Sequence, residues 1–154
     1  MNRESTRPAG VSAARIQRDI EYLAGVGGTP SGGVSRTSFS AADQQVRQWL
    51  AATSAESGLS FRTDGIGNVF IGVPAPDTAN DAAPVWTGSH LDSVPEGGRF
   101  DGVLGSVAGI EVARQHRLVP LGKYWRMSPL VFSFEPRCQG ECGSQKYTGI
   151  VVSS

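Results

Sequence analysis

Cysteine is scarce: the 154-residue chain holds only Cys138 and Cys142. Two thiols close together do not make a disulfide framework, so a reducing cytoplasm is the expected compartment. A surplus of either charge is also missing, because 14 Lys and Arg balance 14 Asp and Glu. No basic stripe marks a nucleic-acid partner, and no polybasic segment marks a membrane surface. No apolar run approaches the ~20 residues of a membrane span. The polar stretch from Met1 to Gly10 lacks the apolar centre of a signal peptide.

What is present is ordinary for a globular domain. Hydrophobic residues make up 39% and charged residues 18%, and the length suffices for one modest domain with a core. Residues 1–11 read as a leader. Ala13 to Ala24 forms a helix with Ile16, Ile20 and Leu23 on one face. Residues 25–38 form a long loop of Gly, Ser and Thr in which Arg36 is the sole charge. Such loops tend to be functional, but Arg36 itself is read as a solvated cation. A second helix starts at a capping-box-like Ser40-Ala41-Ala42-Asp43, buries Val46, Trp49, Leu50 and Thr53, and stops at Gly58. Two strands, 59–63 and 68–73, flank a turn at Asp64-Gly65-Ile66-Gly67. The Pro-rich segment from Pro74 is a surface loop. A third helix follows Asp101 and carries Val107, Ile110 and Val112. Arg114, His116 and Arg117 lie near its end, where cations favour the helix dipole. His116 is therefore read as a helix-end cation, not a ligand. A strand is expected from Leu130 to Phe134. Helices alternating with strands imply an α/β sheet covered by helices.

The most informative stretch runs from Pro84 to Gly102. The apolar run Val85 to Thr87 reads as a central strand feeding Gly88-Ser89-His90-Leu91-Asp92. A glycine-rich loop then delivers Asp101. Ligands of α/β proteins collect where loops leave strand ends. An imidazole at His90 and a carboxylate at Asp101, able to bridge two cations, suit zinc, manganese or cobalt better than calcium or magnesium. Asp92 is placed to accept the other imidazole N–H and fix the tautomer. On spacing alone, a polar glycine turn without a metal is the competing reading.

Gly88-Ser89-His90-Leu91-Asp92-Ser93-Val94-Pro95, followed by Gly97-Gly98-Arg99-Phe100-Asp101-Gly102, resembles the signature of the amidase/carbamoylase branch of the dinuclear-metal aminoacylase/carboxypeptidase superfamily. That branch includes N-carbamoyl-L-amino-acid hydrolases, β-ureidopropionases and allantoate amidohydrolases. Gly32-Gly33-Val34-Ser35-Arg36 and Asp64-Gly65-Ile66-Gly67-Asn68-Val69 resemble it too, in the same order. The resemblance covers about residues 12 to 114. It implies the N-terminal part of a three-layer α/β/α metallohydrolase catalytic domain, with residues 12–136 as a truncated metal-binding portion and 137–154 as a divergent tail. It further implies two divalent metals per site, with His90 ligating one and Asp101 bridging both. The implied substrate is a small N-carbamoyl or ureido compound, and the implied reaction is hydrolysis of its C–N bond. Intact relatives are homodimers, but no segment here resembles their dimerisation domain.

The sequence departs from the pattern after Phe132. Two adjacent glutamates are expected there, one the general base and one a metal ligand. Phe132-Ser133-Phe134-Glu135-Pro136-Arg137 supplies only Glu135. Aligned one way Glu135 is the ligand; aligned the other it is the catalytic base. The later histidine ligands of the pattern are also absent. Cys138 and Cys142 could be half a zinc site, but with no second pair they read as divergent sequence. The chain is thus expected either to be a C–N hydrolase or to be a catalytically inactive fragment of one.

Overall fold

The computed structural model describes residues 10–73, 86–118 and 130–132. Three helices are present: α1 (Ala13–Gly25), α2 (Ala41–Glu56) and α3 (Val103–Leu118). Three strands accompany them: β1 (Ser60–Thr63), β2 (Val69–Gly72) and β3 (Leu130–Phe132). β2 is central, antiparallel to β1 with Phe61 opposite Ile71, and antiparallel to β3 with Phe70 opposite Val131. The mixed α/β class expected from the sequence is the one observed. No described helix is long and apolar enough to cross a membrane. The expected domain limits fall at or beyond the edges of the described residues.

The helices form where caps and periodicity agree. Ser12 caps α1 by accepting the Arg15 N–H, and Ile20 and Leu23 are buried one turn apart. Ser40 caps α2 by accepting the Asp43 N–H. Asp43 reaches back to the Phe39 N–H at 2.9 Å, a one-residue variant of the capping box. Val46 and Leu50 are fully buried, and Trp49 stacks on Tyr22 of α1 at 5.5 Å. Gly58 ends α2 with φ of 62°, a conformation that favours glycine. In the hairpin turn, Asp64 accepts the N–H groups of Ile66 and Asn68 and the Asn68 side-chain amide. That turn is structural, as its Asp-Gly composition implied.

α3 buries Val103, Ser106, Val107, Ile110, Glu111 and Ala113, a stripe at helical spacing. Val112 falls off this stripe and is 42% exposed. Its Val103, Val107, Ile110 and Ala113 join Ile20, Leu23, Val46, Leu50, Val69, Ile71 and Leu91 in one continuous core. Each buried Val, Leu or Ile side chain in it contributes roughly 1.5–3 kcal/mol of burial free energy.

One expectation fails here. The run from Val85 to Thr87 was read as a central strand, yet residues 86–94 carry no regular secondary structure and Val85 lies outside the described residues. Both sides of β2 are already taken by β1 and β3. The 86–97 segment instead bonds to the loop at 34–36: the Ser93 N–H donates to the Arg36 carbonyl at 2.7 Å, and Val34 and Gly97 exchange both backbone bonds. Arg114, expected among the cations near the end of α3, also reaches other elements. Its guanidinium donates to Asp19 of α1 at 2.7 Å and to Ser57 at 3.2 Å. The side chain of His116 lies outside the described residues.

Candidate metal site

α3 meets the 86–101 segment at its N-terminal end. Gly102 makes the approach possible. A Cβ there would lie 2.6 Å from His90 Nδ1 and closer still to the His90 carbonyl, and the residue has φ of 72°. Only glycine satisfies both demands. One turn on, a Cβ at Gly105 would sit 2.9 Å from the Ser89 Cβ, and the Ser106 hydroxyl donates to the His90 carbonyl at 3.3 Å. The helix start therefore fixes the backbone of Ser89 and His90 directly.

The structure brings His90, Asp92 and Asp101 together. His90 Nδ1 lies 3.0 Å from the Asp92 carbonyl oxygen and 3.3 Å from Asp92 Oδ1. His90 Nε2 lies 3.8 Å from Asp101 Oδ1. Asp92 is buried, and its Oδ2 accepts from the Ser38 hydroxyl at 2.8 Å. The Asp101 side chain is 75% exposed at the end of a tight turn, whose backbone bond runs from the Asp101 N–H to the Gly98 carbonyl. The hydrogen bond to Asp92 raises the His90 pKa above its ordinary value, against the opposing effect of burial.

Both oxygens facing Nδ1 are acceptors, which favours the tautomer with its proton on Nδ1. Nε2 then keeps its lone pair, and no hydrogen bond among the described residues engages it. A half-exposed imidazole lone pair beside an exposed carboxylate fits the donor chemistry of zinc, manganese or cobalt. The fit is partial. A closed zinc site takes about four ligands, and among the described residues no group of three or more His, Cys, Asp or Glu side chains is placed to hold a metal ion. Glu135, Cys138 and Cys142 lie outside the described residues, so both roles of Glu135 stay open.

Arg36 corrects the sequence reading. It is 1% exposed, not solvated. Its Nε donates to the Leu91 carbonyl at 2.6 Å, and its Nη1 donates to the carbonyls of Leu23 and Val26 at 2.6 and 2.7 Å. Burial lowers its pKa, countered by the charges of Asp43 and Asp92. The signal was available: one charge in an otherwise uncharged 14-residue loop, within one of the segments that carry the resemblance. Ser38, which holds Asp92, was also missed, and serines are too common in this loop to have been singled out.

The chain is similar to known proteins over about two thirds or more of its length. An N-carbamoyl-L-amino-acid amidohydrolase of Rhizobium meliloti is 39% identical over 104 residues, 68% of this chain and 24% of that protein. A ureidoglycolate hydrolase of Oryza sativa subsp. japonica is 35% identical over 107 residues, 70% of this chain and 22% of that protein. The crystal structure of a hydantoinase/carbamoylase family amidase from Burkholderia ambifaria superposes with a TM-score of 0.70 at 37% identity, covering 79% of this chain and 29% of that one. No family model matches the chain. The chain spans about a quarter of the length of the curated relatives it matches. Over the part it spans, the chain matches the N-terminal part of the hydantoinase/carbamoylase family amidases in sequence and in fold.

Proposed function

We propose that this chain carries part of the metal centre of a hydrolase that cleaves the C–N bond of linear amides or N-carbamoyl compounds. The observation that carries the reading is the position of His90 between two carboxylates, with Asp92 on Nδ1 and Asp101 on the Nε2 side. His90 binds through Nε2, Asp101 offers carboxylate oxygens, and Asp92 holds the Nδ1 proton so that the lone pair points outward. When bound, a divalent cation supplies carbonyl polarisation and an acidified water. Glu135 would serve either as the general base of the hydrolysis or as a further metal ligand. The substrate is a small N-carbamoyl or ureido compound, as the names of the relatives describe for those proteins. A cytoplasmic location completes the proposal.

A second reading concerns the 154-residue chain by itself. Only two metal donors meet among the described residues, and one glutamate stands where the resemblance requires two. Losing a ligand or base lowers turnover steeply. The chain alone is therefore expected to be catalytically inactive. An ammonia-release assay with N-carbamoyl amino acids, β-ureidopropionate and allantoate, with manganese added, decides between the readings. No useful turnover is expected. Turnover that requires both manganese and His90, absent in His90→Ala, would overturn the inactive reading and establish the hydrolase.

A further inference from the structure

A buried arginine that hydrogen-bonds no carboxylate among the described residues needs a physical reason, because burying a guanidinium is costly unless its donors are satisfied. Arg36 meets that cost with three short, charge-assisted bonds, all to backbone carbonyls. Two of them, on Leu23 and Val26, lie at the C-terminal end of α1, where carbonyls lack helical partners and a cation is favoured. The third, on Leu91, lies inside the candidate site.

The Leu91 carbonyl belongs to the planar peptide unit joining Leu91 to Asp92. Fixing that oxygen fixes the plane from which Asp92 departs. The same segment is held by the Arg36 N–H donating to Ser93 Oγ at 2.8 Å, the Ser93 N–H donating to the Arg36 carbonyl at 2.7 Å, and Ser93 Oγ donating to the Val34 carbonyl at 2.8 Å. Asp92 in turn holds His90 through both its carbonyl and its carboxylate. The linkage runs unbroken from the end of α1, through Arg36, to the imidazole.

We propose that Arg36 is a positioning residue, holding the Leu91–Asp92 peptide in the orientation that keeps Asp92 on His90 Nδ1. In purpose this rests on the reading of His90 as a metal ligand, although the linkage itself is independent of any metal. Lysine cannot replace it, because one ammonium lacks the planar fork that serves carbonyls on two separate segments.

The test uses the full chain, metal-free, as wild type, Arg36→Lys, Arg36→Gln and a core control, Val46→Ala, compared where circular dichroism shows all folded. Nitrogen-15 NMR of the histidine ring should show mainly the Nδ1–H tautomer in wild type and Val46→Ala, and a mixture in both Arg36 variants. Zinc affinity by calorimetry should fall by about tenfold or more in the Arg36 variants alone, as for loss of a group that orients a ligand. Folded Arg36 variants with wild-type His90 ring shifts would overturn the proposal, and so would equal changes in Val46→Ala. If the substitutions prevent folding, the unmodified chain still decides: a scalar coupling from Arg36 Nε–H to the Leu91 carbonyl is expected, and its absence sinks the idea. If wild type binds no zinc, the metal reading fails while the tautomer measurement still judges Arg36.

Discussion

His90 and Asp101 stand eleven residues apart in sequence, yet Nε2 of one lies 3.8 Å from Oδ1 of the other. A glycine-rich turn and the start of α3 bring them together, and Gly102 sits against the imidazole at the junction. The donor pair therefore depends on backbone conformation as much as on the two side chains.

Gly102→Ala tests that dependence. A methyl group would strike His90 while the backbone stays at positive φ. The expected destabilisation is about 1–3 kcal/mol from strain alone, read as a lower urea midpoint. An alanine variant as stable as wild type would show that the contact relaxes freely.

Asp92→Asn keeps the shape at position 92 but can present an amide donor to Nδ1 in place of the carboxylate. The imidazole then loses the partner that fixes its tautomer. Metal affinity should drop by roughly 10–100-fold, measured by calorimetry, with the far-ultraviolet spectrum unchanged. Unaltered affinity would remove Asp92 from the site.

Glu111 sets an acid limit on stability. It is fully buried on α3; burial pushes its pKa up, but the Arg15 guanidinium, the Ser12 N–H and Gln115 outweigh this and lower it from 4.5 to about 2. A carboxylate depressed in the folded state stabilises fully above its unfolded value and loses that contribution as pH falls. The loss should therefore run from about pH 4.5 down to about pH 2. Glu111→Gln should cost about 1.5–3 kcal/mol at neutral pH, as for a charged hydrogen bond, and should flatten the acid limb of stability in urea titrations.

The helices were legible because their information is local. Ser12 and Ser40 cap them, and Ile20, Leu23, Val46 and Leu50 recur at helical spacing. The pairing of His90 with Asp101 was legible through a motif of closely spaced residues. The buried charges were not. Arg36 finds Leu91 across 55 residues, and Arg15 finds Glu111 across 96. A local reading assigns Arg36 to solvent because its partner lies outside any window. Val85 to Thr87 misled for a similar reason: a short apolar run does not reveal whether a sheet edge is free to receive it.

The account rests on His90 and Asp101 sharing a divalent ion, and calorimetric titration of the purified chain with zinc and manganese tests this most directly. The predicted result is weak binding of one ion per chain, reduced about tenfold or more, some 1.4 kcal/mol, by either His90→Ala or Asp101→Asn. Tight binding of two ions per chain, or binding untouched by both substitutions, would contradict it.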